Sequence, residues 1–134
     1  MPSKLRLQRI SERIREELSE MMVMEIHDPR LSGISITDVT VDREFTFADI
    51  YVSAVEGHER AAEVLEGLSH ASGYLRKALA ERVELRIFPR LRFHWDPTPE
   101  KADHIERLIA SLHAEEGSKA AGEEQTKDGT QDER

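Results

Sequence analysis

Apolar residues recur every three or four positions in three long segments, the spacing that predicts amphipathic helices. The first predicted helix covers residues 3–26 and the second covers about residues 58–83. The third begins at Thr98, a residue type favoured as a helix cap, with Pro99 at the first helical position. Its apolar stripe covers residues 102–112.

Alternating apolar residues predict three strands, at residues 34–41, 47–55 and 85–95. The alternation changes parity within the first strand, so we expect one bulge near Thr37 and Asp38. The short turn Asp42-Arg43-Glu44 between the first two strands predicts an antiparallel hairpin. Pro89 should mark the start of the third strand or a bulge. The order helix, strand, strand, helix, strand, helix predicts an α+β domain with helices on one face of a three-stranded sheet.

The second helix contains Ala71-Ser72-Gly73 in its interior. A Gly beside a Ser is a recognised cause of helix kinks, and the Gly costs about 1 kcal/mol relative to Ala. We therefore expect the helix to bend here and to present Arg76 and Lys77 beyond the bend.

The charge of the chain is unevenly distributed. Acidic residues outnumber basic ones by 27 to 19, for a net charge of -8. From Glu115 onward there are seven acidic and three basic residues, and Ala is the one apolar residue type. Residues 115–134 are therefore predicted to be a disordered acidic tail, and residues 1–114 to be the folded domain. Polyanion binding depends on a local patch more than on the net charge, so the acidity does not exclude it.

Basic residues cluster in the first helix and after the predicted kink. The first helix has its cations before its glutamates, the reverse of the order that a helix dipole favours. Pairing within the helix, such as Arg13 with Glu17, would explain this order, and so would contact with an external anion. The later cluster is either a solvated surface or a patch that follows phosphates. The candidate RNA-binding residues are Lys4, Arg6, Arg9, Arg13, Arg76, Lys77, Arg82, Arg86, Arg90 and Arg92.

The sequence predicts no enzyme, no metal and no cofactor. Cysteine is absent, and the six histidines form neither a His-x-x-x-His pair nor an HExxH motif. His94 and Asp96 share a strand face, but two ligands do not make a site. His27 and Asp28 are adjacent and precede Pro29, so they are interpreted as a turn that ends the first helix. No signal peptide and no long apolar run occur, which predicts a cytoplasmic protein without a membrane span.

RNA recognition by this chain would depend on shape and backbone contacts. Candidate stacking residues are few, namely Tyr51, Tyr74 and Trp95. No two glycines lie three apart, so the GxxG clamp of many KH domains is missing. This composition favours structured RNA over single-stranded bases.

Five stretches, taken in order, resemble one known family. They are Glu25-Ile26-His27-Asp28-Pro29-Arg30, Ile36-Thr37-Asp38-Val39, Ile50-Tyr51-Val52-Ser53, Ala71-Ser72-Gly73-Tyr74-Leu75-Arg76 and Pro89-Arg90-Leu91-Arg92-Phe93-His94-Trp95-Asp96. With these stretches, the sequence resembles the ribosome-binding factor A family of bacterial small-subunit maturation factors over about residues 5–112.

The resemblance implies a type-II KH-like fold in which an Ala-x-Gly kink, here Ala71, Ser72 and Gly73, replaces the GxxG loop. It also implies binding to 16S rRNA in immature 30S subunits, a role in late 5′-end processing, adaptation to cold, and maturation GTPases as functional partners. Asp28-Pro29-Arg30 matches as a signature of undetermined role.

A second hypothesis is an α+β protein-interaction or regulatory domain without RNA binding. It would act through the exposed sheet face or the acidic tail, and its basic residues would only be solvated. A monomer is expected in either case.

Overall fold

The computed structural model describes the backbone of residues 3–125 and the side chains of residues 3–116. The helices are α1 (Lys4–Met24), α2 (Ala61–Arg82) and α3 (Thr98–Gln125), and the strands are β1 (Ile34–Val41), β2 (Phe47–Ala54) and β3 (Arg90–Trp95). Two short 3-10 turns, Pro29–Leu31 and His58–Arg60, precede β1 and α2. The predicted order of elements and the α+β class are confirmed.

The three strands form one sheet in the order β1, β2, β3. Strand β1 runs antiparallel to β2, and the pairing shifts between Ile36 and Asp38, which confirms the predicted bulge. Strand β3 runs parallel to β2, with Arg90 opposite Phe47 and Trp95 opposite Val52. A parallel neighbour requires a crossover connection, and α2 supplies it.

The core lies on one face of this sheet. Helix α1 packs mainly on β1, and α2 packs on β3. Leu18 of α1, Leu75 of α2 and Ile50 of β2 are completely buried and belong to one cluster. Burying each such side chain contributes about 1.5–3 kcal/mol relative to leaving it exposed. The prediction of helices on one sheet face is thus confirmed for α1 and α2.

Helix α2 runs without interruption through the predicted kink motif. Ala71, Ser72 and Gly73 are all helical, and a Cβ added to Gly73 would meet nothing within 4 Å. The motif therefore does not divide α2 into two helices. The size of any bend stays a prediction.

Strand β3 is shorter than predicted, because it begins at Arg90 and not at residue 85. Pro89 immediately precedes it and has no amide hydrogen to donate to β2. The carbonyl oxygens of Phe88 and Pro89 instead accept hydrogen bonds from the Arg76 guanidinium, at 2.6 and 3.1 Å. Pro89 thus marks the start of β3 by directly preceding Arg90, which is one of the two predicted alternatives.

Contacts divide the chain into two compact units, Met1–Pro97 and Thr98–Arg134. The boundary lies before α3, whereas the sequence placed this helix in the first domain. Helix α3 continues to Gln125, past the predicted start of the disordered tail at Glu115. This segment is rich in Ala, Glu and Lys, which are strong helix formers. The tail prediction for residues 126–134 lies outside the described residues.

No helix among the described residues has the length and apolar character that a membrane crossing would require.

Candidate nucleic-acid interface

Three arginines from distant parts of the sequence meet at one end of the sheet. The guanidinium of Arg6 lies 5.9 Å from the ring centre of Phe45, in the β1–β2 turn. The carbonyl oxygen of Thr46, the next residue, accepts a hydrogen bond of 2.9 Å from the amide of Arg90. Arg76 of α2 then binds the two residues that precede Arg90.

Further basic residues flank these three. Lys4 begins α1, Arg43 lies in the β1–β2 turn, and Arg86 lies in the loop between α2 and β3; all three are exposed. Arg43 was not among the RNA-binding residues predicted from the sequence, because a single cation in a turn does not belong to any basic cluster. We call Lys4, Arg6, Arg43, Arg76, Arg86 and Arg90 the basic end.

The cations of the basic end have no carboxylate partner. Among residues 3–116, none of its six members forms an ion pair. Arg76 uses its guanidinium to bind carbonyl oxygens, which leaves its positive charge in place. Asp42 and Glu44 are the acidic residues closest in sequence, on either side of Arg43 in the turn, and neither forms an ion pair with it among the described residues. A set of cations without internal counterions is suited to binding an external anion.

Two other candidates, Arg13 and Arg82, are engaged between α1 and α2. Arg13 pairs with Glu17 at 3.2 Å, as the intrahelical alternative requires, and donates to the carbonyl oxygen of Arg82 at 3.3 Å. Arg82 pairs with Glu25 and, at 3.7 Å, with Glu17. The hydrogen bond that Glu25 accepts from Arg82 is the main cause of the lowered pKa of Glu25. These contacts favour a structural role for both arginines.

Arg92 is also engaged, on the open face of the sheet. Its guanidinium binds both carboxylate oxygens of Asp49, at 2.8 and 3.1 Å, and lies 3.9 Å from the ring centre of Phe47. This pairing is the main cause of the lowered pKa of Asp49. His94 binds the same carboxylate at 2.7 Å and stacks on Tyr51 with ring centres 5.0 Å apart.

The remaining two candidates are Arg9 and Lys77. Both are exposed, and neither forms an ion pair within the described side chains. Arg9 lies between Leu5 and Arg13 on the outer surface of α1. Within α1 it is Arg6 that contacts the β1–β2 turn, because the helix packs mainly on β1.

The Asp28-Pro29-Arg30 signature builds a clamp between the Pro29–Leu31 turn and α2. Asp28 caps this turn and binds the Arg30 guanidinium, with a shortest distance of 2.7 Å. That hydrogen bond is the main cause of the lowered pKa of Asp28. Arg30 reaches on to His70 of α2, at 3.2 Å. Asp28 thus starts a turn as predicted, but α1 already ends at Met24, so this turn does not itself end the helix. His70 directly precedes Ala71 of the kink motif.

Arg60 fixes the same turn from its other side. Its guanidinium donates to the carbonyl oxygens of Arg30, at 2.9 Å, and Ser32, at 2.6 Å, and its side chain is 15% exposed. Glu56 and Glu63 also bind it, at 3.1 and 3.4 Å. We call Asp28, Arg30, Arg60 and His70 the loop clamp.

Gly67 permits the close approach of the turn to α2. A Cβ at this position would lie 3.0 Å from Leu31 Cδ2 and 3.2 Å from Arg30 Cβ. Both distances are too short for an undisturbed contact, so the turn packs where a side chain would stand. Sequence reasoning did not single out Gly67, because its role depends on residues 36 positions away in the chain.

Tyr74 and Asp96, two further residues singled out from the sequence, are engaged in contacts between distant parts of the domain. Tyr74 donates to Glu25 at 3.2 Å, and Thr37 donates to Asp96 at 2.6 Å. His94 and Asp96 therefore each have a different partner. Residues 3–116 contain no group of three or more His, Asp or Glu side chains placed to hold a metal ion.

These observations define the first unit as a small α+β domain with a mixed three-stranded sheet and a cationic end. The family profile described as Ribosome-binding factor A matches residues 6–109 of the chain. The chain belongs to the ribosome-binding factor A family.

Relatives named Ribosome-binding factor A support this assignment. The relative from Alcanivorax borkumensis is 42% identical over 112 residues, which cover 83% of this chain and 82% of that protein. The relative from Acetivibrio thermocellus is 41% identical over 116 residues, covering 85% and 94%.

Solved structures of the family show the same fold. The crystal structure of ribosome-binding factor A from Thermus thermophilus matches with a TM-score of 0.60 and 29% identity, covering 66% of this chain and 93% of that one. A homology model of the Thermus thermophilus protein, fitted into a cryo-EM map of its complex with the 30S subunit, matches with a TM-score of 0.51 and 32% identity, covering 62% and 87%.

Proposed function

We propose that this protein binds 16S rRNA in free or immature 30S subunits and assists late subunit assembly and 5′-end processing without catalysing a reaction. The observation that carries the proposal is the basic end, a group of cations without internal counterions. Family membership and the 30S complex of the Thermus thermophilus protein support the choice of target. The family resemblance adds a cytoplasmic location, a role in cold adaptation and a functional link to maturation GTPases, and we expect a monomer.

The basic end supplies the contacts that this function requires. Most protein contacts to nucleic acid that set position are made to phosphates, and Arg is well suited to them. The members of the basic end come from α1, the β1–β2 turn, α2 and β3, so the fold holds them in fixed relative positions. Few aromatic side chains accompany them, which suits recognition of structured RNA through its backbone.

The test compares two arginines on one strand face. Arg90 and Arg92 both point to the open face of β3, but Arg92 is paired with Asp49 and Arg90 has no carboxylate. Binding of the full chain to immature 30S subunits is measured by co-sedimentation at several salt concentrations. We expect Arg90→Gln to lower the slope of log affinity against log salt by about 1. Arg92→Gln should leave that slope nearly unchanged.

A triple variant tests the basic end as a whole. Arg6→Gln/Arg86→Gln/Arg90→Gln should weaken subunit binding by at least about tenfold at physiological salt. Its free energy of unfolding, measured by urea denaturation, should match that of the wild type. Affinity that does not depend on salt or on these residues would overturn the proposal. Retention of bound partners after RNase treatment would instead support the protein-interaction hypothesis.

A further inference from the structure

The C-terminal half of α1 carries two carboxylates that lack an ion-pair partner. Glu16 and Glu20 are exposed, and neither forms an ion pair among the described side chains. Their neighbours Glu17 and Glu25, by contrast, are both bound by Arg82. The hydrogen bond to Glu25 is the main cause of the raised pKa of Arg82, and the charge of Glu20 adds to it. Arg82 nevertheless binds neither Glu16 nor Glu20.

Two exposed apolar residues follow on the same surface. Val23 is 79% exposed and Met24 is 67% exposed, and they lie three and four positions after Glu20. Residues at these spacings are neighbours on the surface of a helix. Carboxylates and apolar side chains therefore adjoin each other at this end of α1.

Val23 also borders a concave surface of about 480 Å³. Its apolar lining comes from the end of α1, the Pro29–Leu31 turn and the start of β1. The lining includes Met22, Val23, Ile26, Pro29, Leu31 and Ile34. Glu16, Glu20 and Met24 lie on α1 outside this lining, and Glu16 lines a separate depression with Arg9 and Arg13. We call the concave surface, together with Glu16, Glu20 and Met24, the acidic groove.

The acidic groove and the basic end lie at opposite ends of the sheet. Ile34 pairs with Ala54 at one end of β2, whereas Arg90 pairs with Phe47 at the other end. A ligand in the groove would leave the basic end free. The two surfaces can therefore be occupied at the same time.

We propose that the acidic groove binds a Lys- or Arg-rich protein segment that also carries apolar side chains. The apolar side chains would enter the concave surface, and the cations would pair with Glu16 and Glu20. The same two carboxylates would repel phosphate, so this surface selects protein and not RNA. This inference concerns a second site and does not depend on RNA binding by the basic end.

Charge complementarity favours a cationic segment over an acidic or neutral one. Bound cations would pair with Glu16 and Glu20, which are exposed and form no ion pair among the described side chains. An acidic or neutral apolar segment would make the same apolar contact but would gain no attraction to Glu16 and Glu20. Preference for a cationic segment is therefore the property that distinguishes this site from a general apolar surface.

The probes are two synthetic ten-residue peptides that alternate Leu with either Lys or Glu. Each is added to the isotope-labelled full chain, and backbone amide shifts are followed by NMR. We expect the Lys-Leu peptide to shift amides from residues 20–34 and the Glu-Leu peptide to leave them unchanged. Equal shifts with both peptides would overturn the proposal, and so would no shift with either peptide.

Variants then test the named residues. Glu16→Gln/Glu20→Gln should weaken binding of the Lys-Leu peptide by about fivefold, through the loss of two exposed ion pairs. Val23→Ser should weaken it as well. The matched controls are Glu59→Gln and Val55→Ser, which change an exposed carboxylate and a 96% exposed valine outside the groove. Controls that weaken binding as much as the groove variants would overturn the assignment.

Two further readouts separate the alternatives. Groove amides that shift with protein concentration, with no peptide present, would show that a second copy occupies the groove and would overturn the proposal. Subunit binding through RNA should keep its affinity and salt slope in Glu16→Gln/Glu20→Gln. Failure of RNA binding therefore leaves the peptide result intact, and the two proposals fail separately.

Discussion

Arg60 of the loop clamp and Arg90 of the basic end use their guanidinium groups in opposite ways. Arg60 in the loop clamp binds two carbonyl oxygens and two carboxylates, whereas Arg90 in the basic end binds no side chain among the described residues. The first arrangement uses the guanidinium to hold the chain together, and the second leaves it available to a ligand. The role of an arginine is therefore indicated by the groups that its side chain binds, and not by its position in a basic stretch of the sequence.

The largest effect that we expect is the loss of stability in Arg60→Ala. The change leaves the carbonyl oxygens of Arg30 and Ser32 without these donors, and we expect it to cost about 2–3 kcal/mol of unfolding free energy. Urea denaturation measures the loss. Arg90→Ala is the matched control and should change stability by less than about 0.5 kcal/mol. Equal losses in the two variants would remove the distinction between the regions.

Gly67 and Gly73 of α2 should respond in opposite ways to replacement by Ala. In Gly67→Ala the new Cβ would approach Leu31 to 3.0 Å, and overpacking of this kind costs about 1–3 kcal/mol. In Gly73→Ala the new Cβ meets nothing within 4 Å, so removing a helical Gly should stabilise by about 0.5–1 kcal/mol. Thermal unfolding should therefore show a lower Tm for Gly67→Ala and a higher Tm for Gly73→Ala than for the wild type.

Gly73→Ala also tests the predicted kink. A bend at this position would set the placement of Arg76 and Lys77, so its removal should weaken 30S binding although stability rises. Normal binding by this variant would show that Gly73 serves packing alone.

The smallest expected effect is a pH dependence of stability through Asp49. The bound Arg92 lowers the pKa of Asp49 in the folded state below its value in the unfolded chain. The stabilisation is therefore present above the unfolded pKa, about 3.9, and is lost as the pH falls through the folded pKa. Urea midpoints of the wild type should fall more steeply than those of Asp49→Asn below about pH 4. Parallel curves would contradict this assignment.

Local patterns predicted much of the fold. The parity change in residues 34–41 indicated both the bounds of β1 and its bulge, because strand alternation is a local property. The residue at which β3 begins was harder to predict from the sequence, because it depends on Pro89 and on hydrogen bonds from Arg76. Helix α3 extends beyond the predicted boundary, because composition alone does not exclude a helix rich in Ala and Glu.

The site was harder to predict than the fold. Arg92 and Asp49 are 43 positions apart, and their pairing depends on the parallel register of β2 and β3. Arg82 and Glu25 are 57 positions apart and meet because α2 packs beside α1. A sequence shows which residues are cations, but only the fold shows which of these cations are already neutralised. Arg43 and Gly67 were missed for the same reason.

The charge order along α1 has a consequence for how an acidic protein approaches a polyanion. Its 21 residues span about 31 Å at 1.5 Å per residue, several times the screening length of about 8 Å at physiological salt. The cationic and anionic halves of α1 therefore act as separate poles of this helix. In the field of a nucleic acid the cationic pole is drawn inward before contact. The net charge of -8 does not prevent the encounter, because the cationic half of α1 then faces the phosphates first.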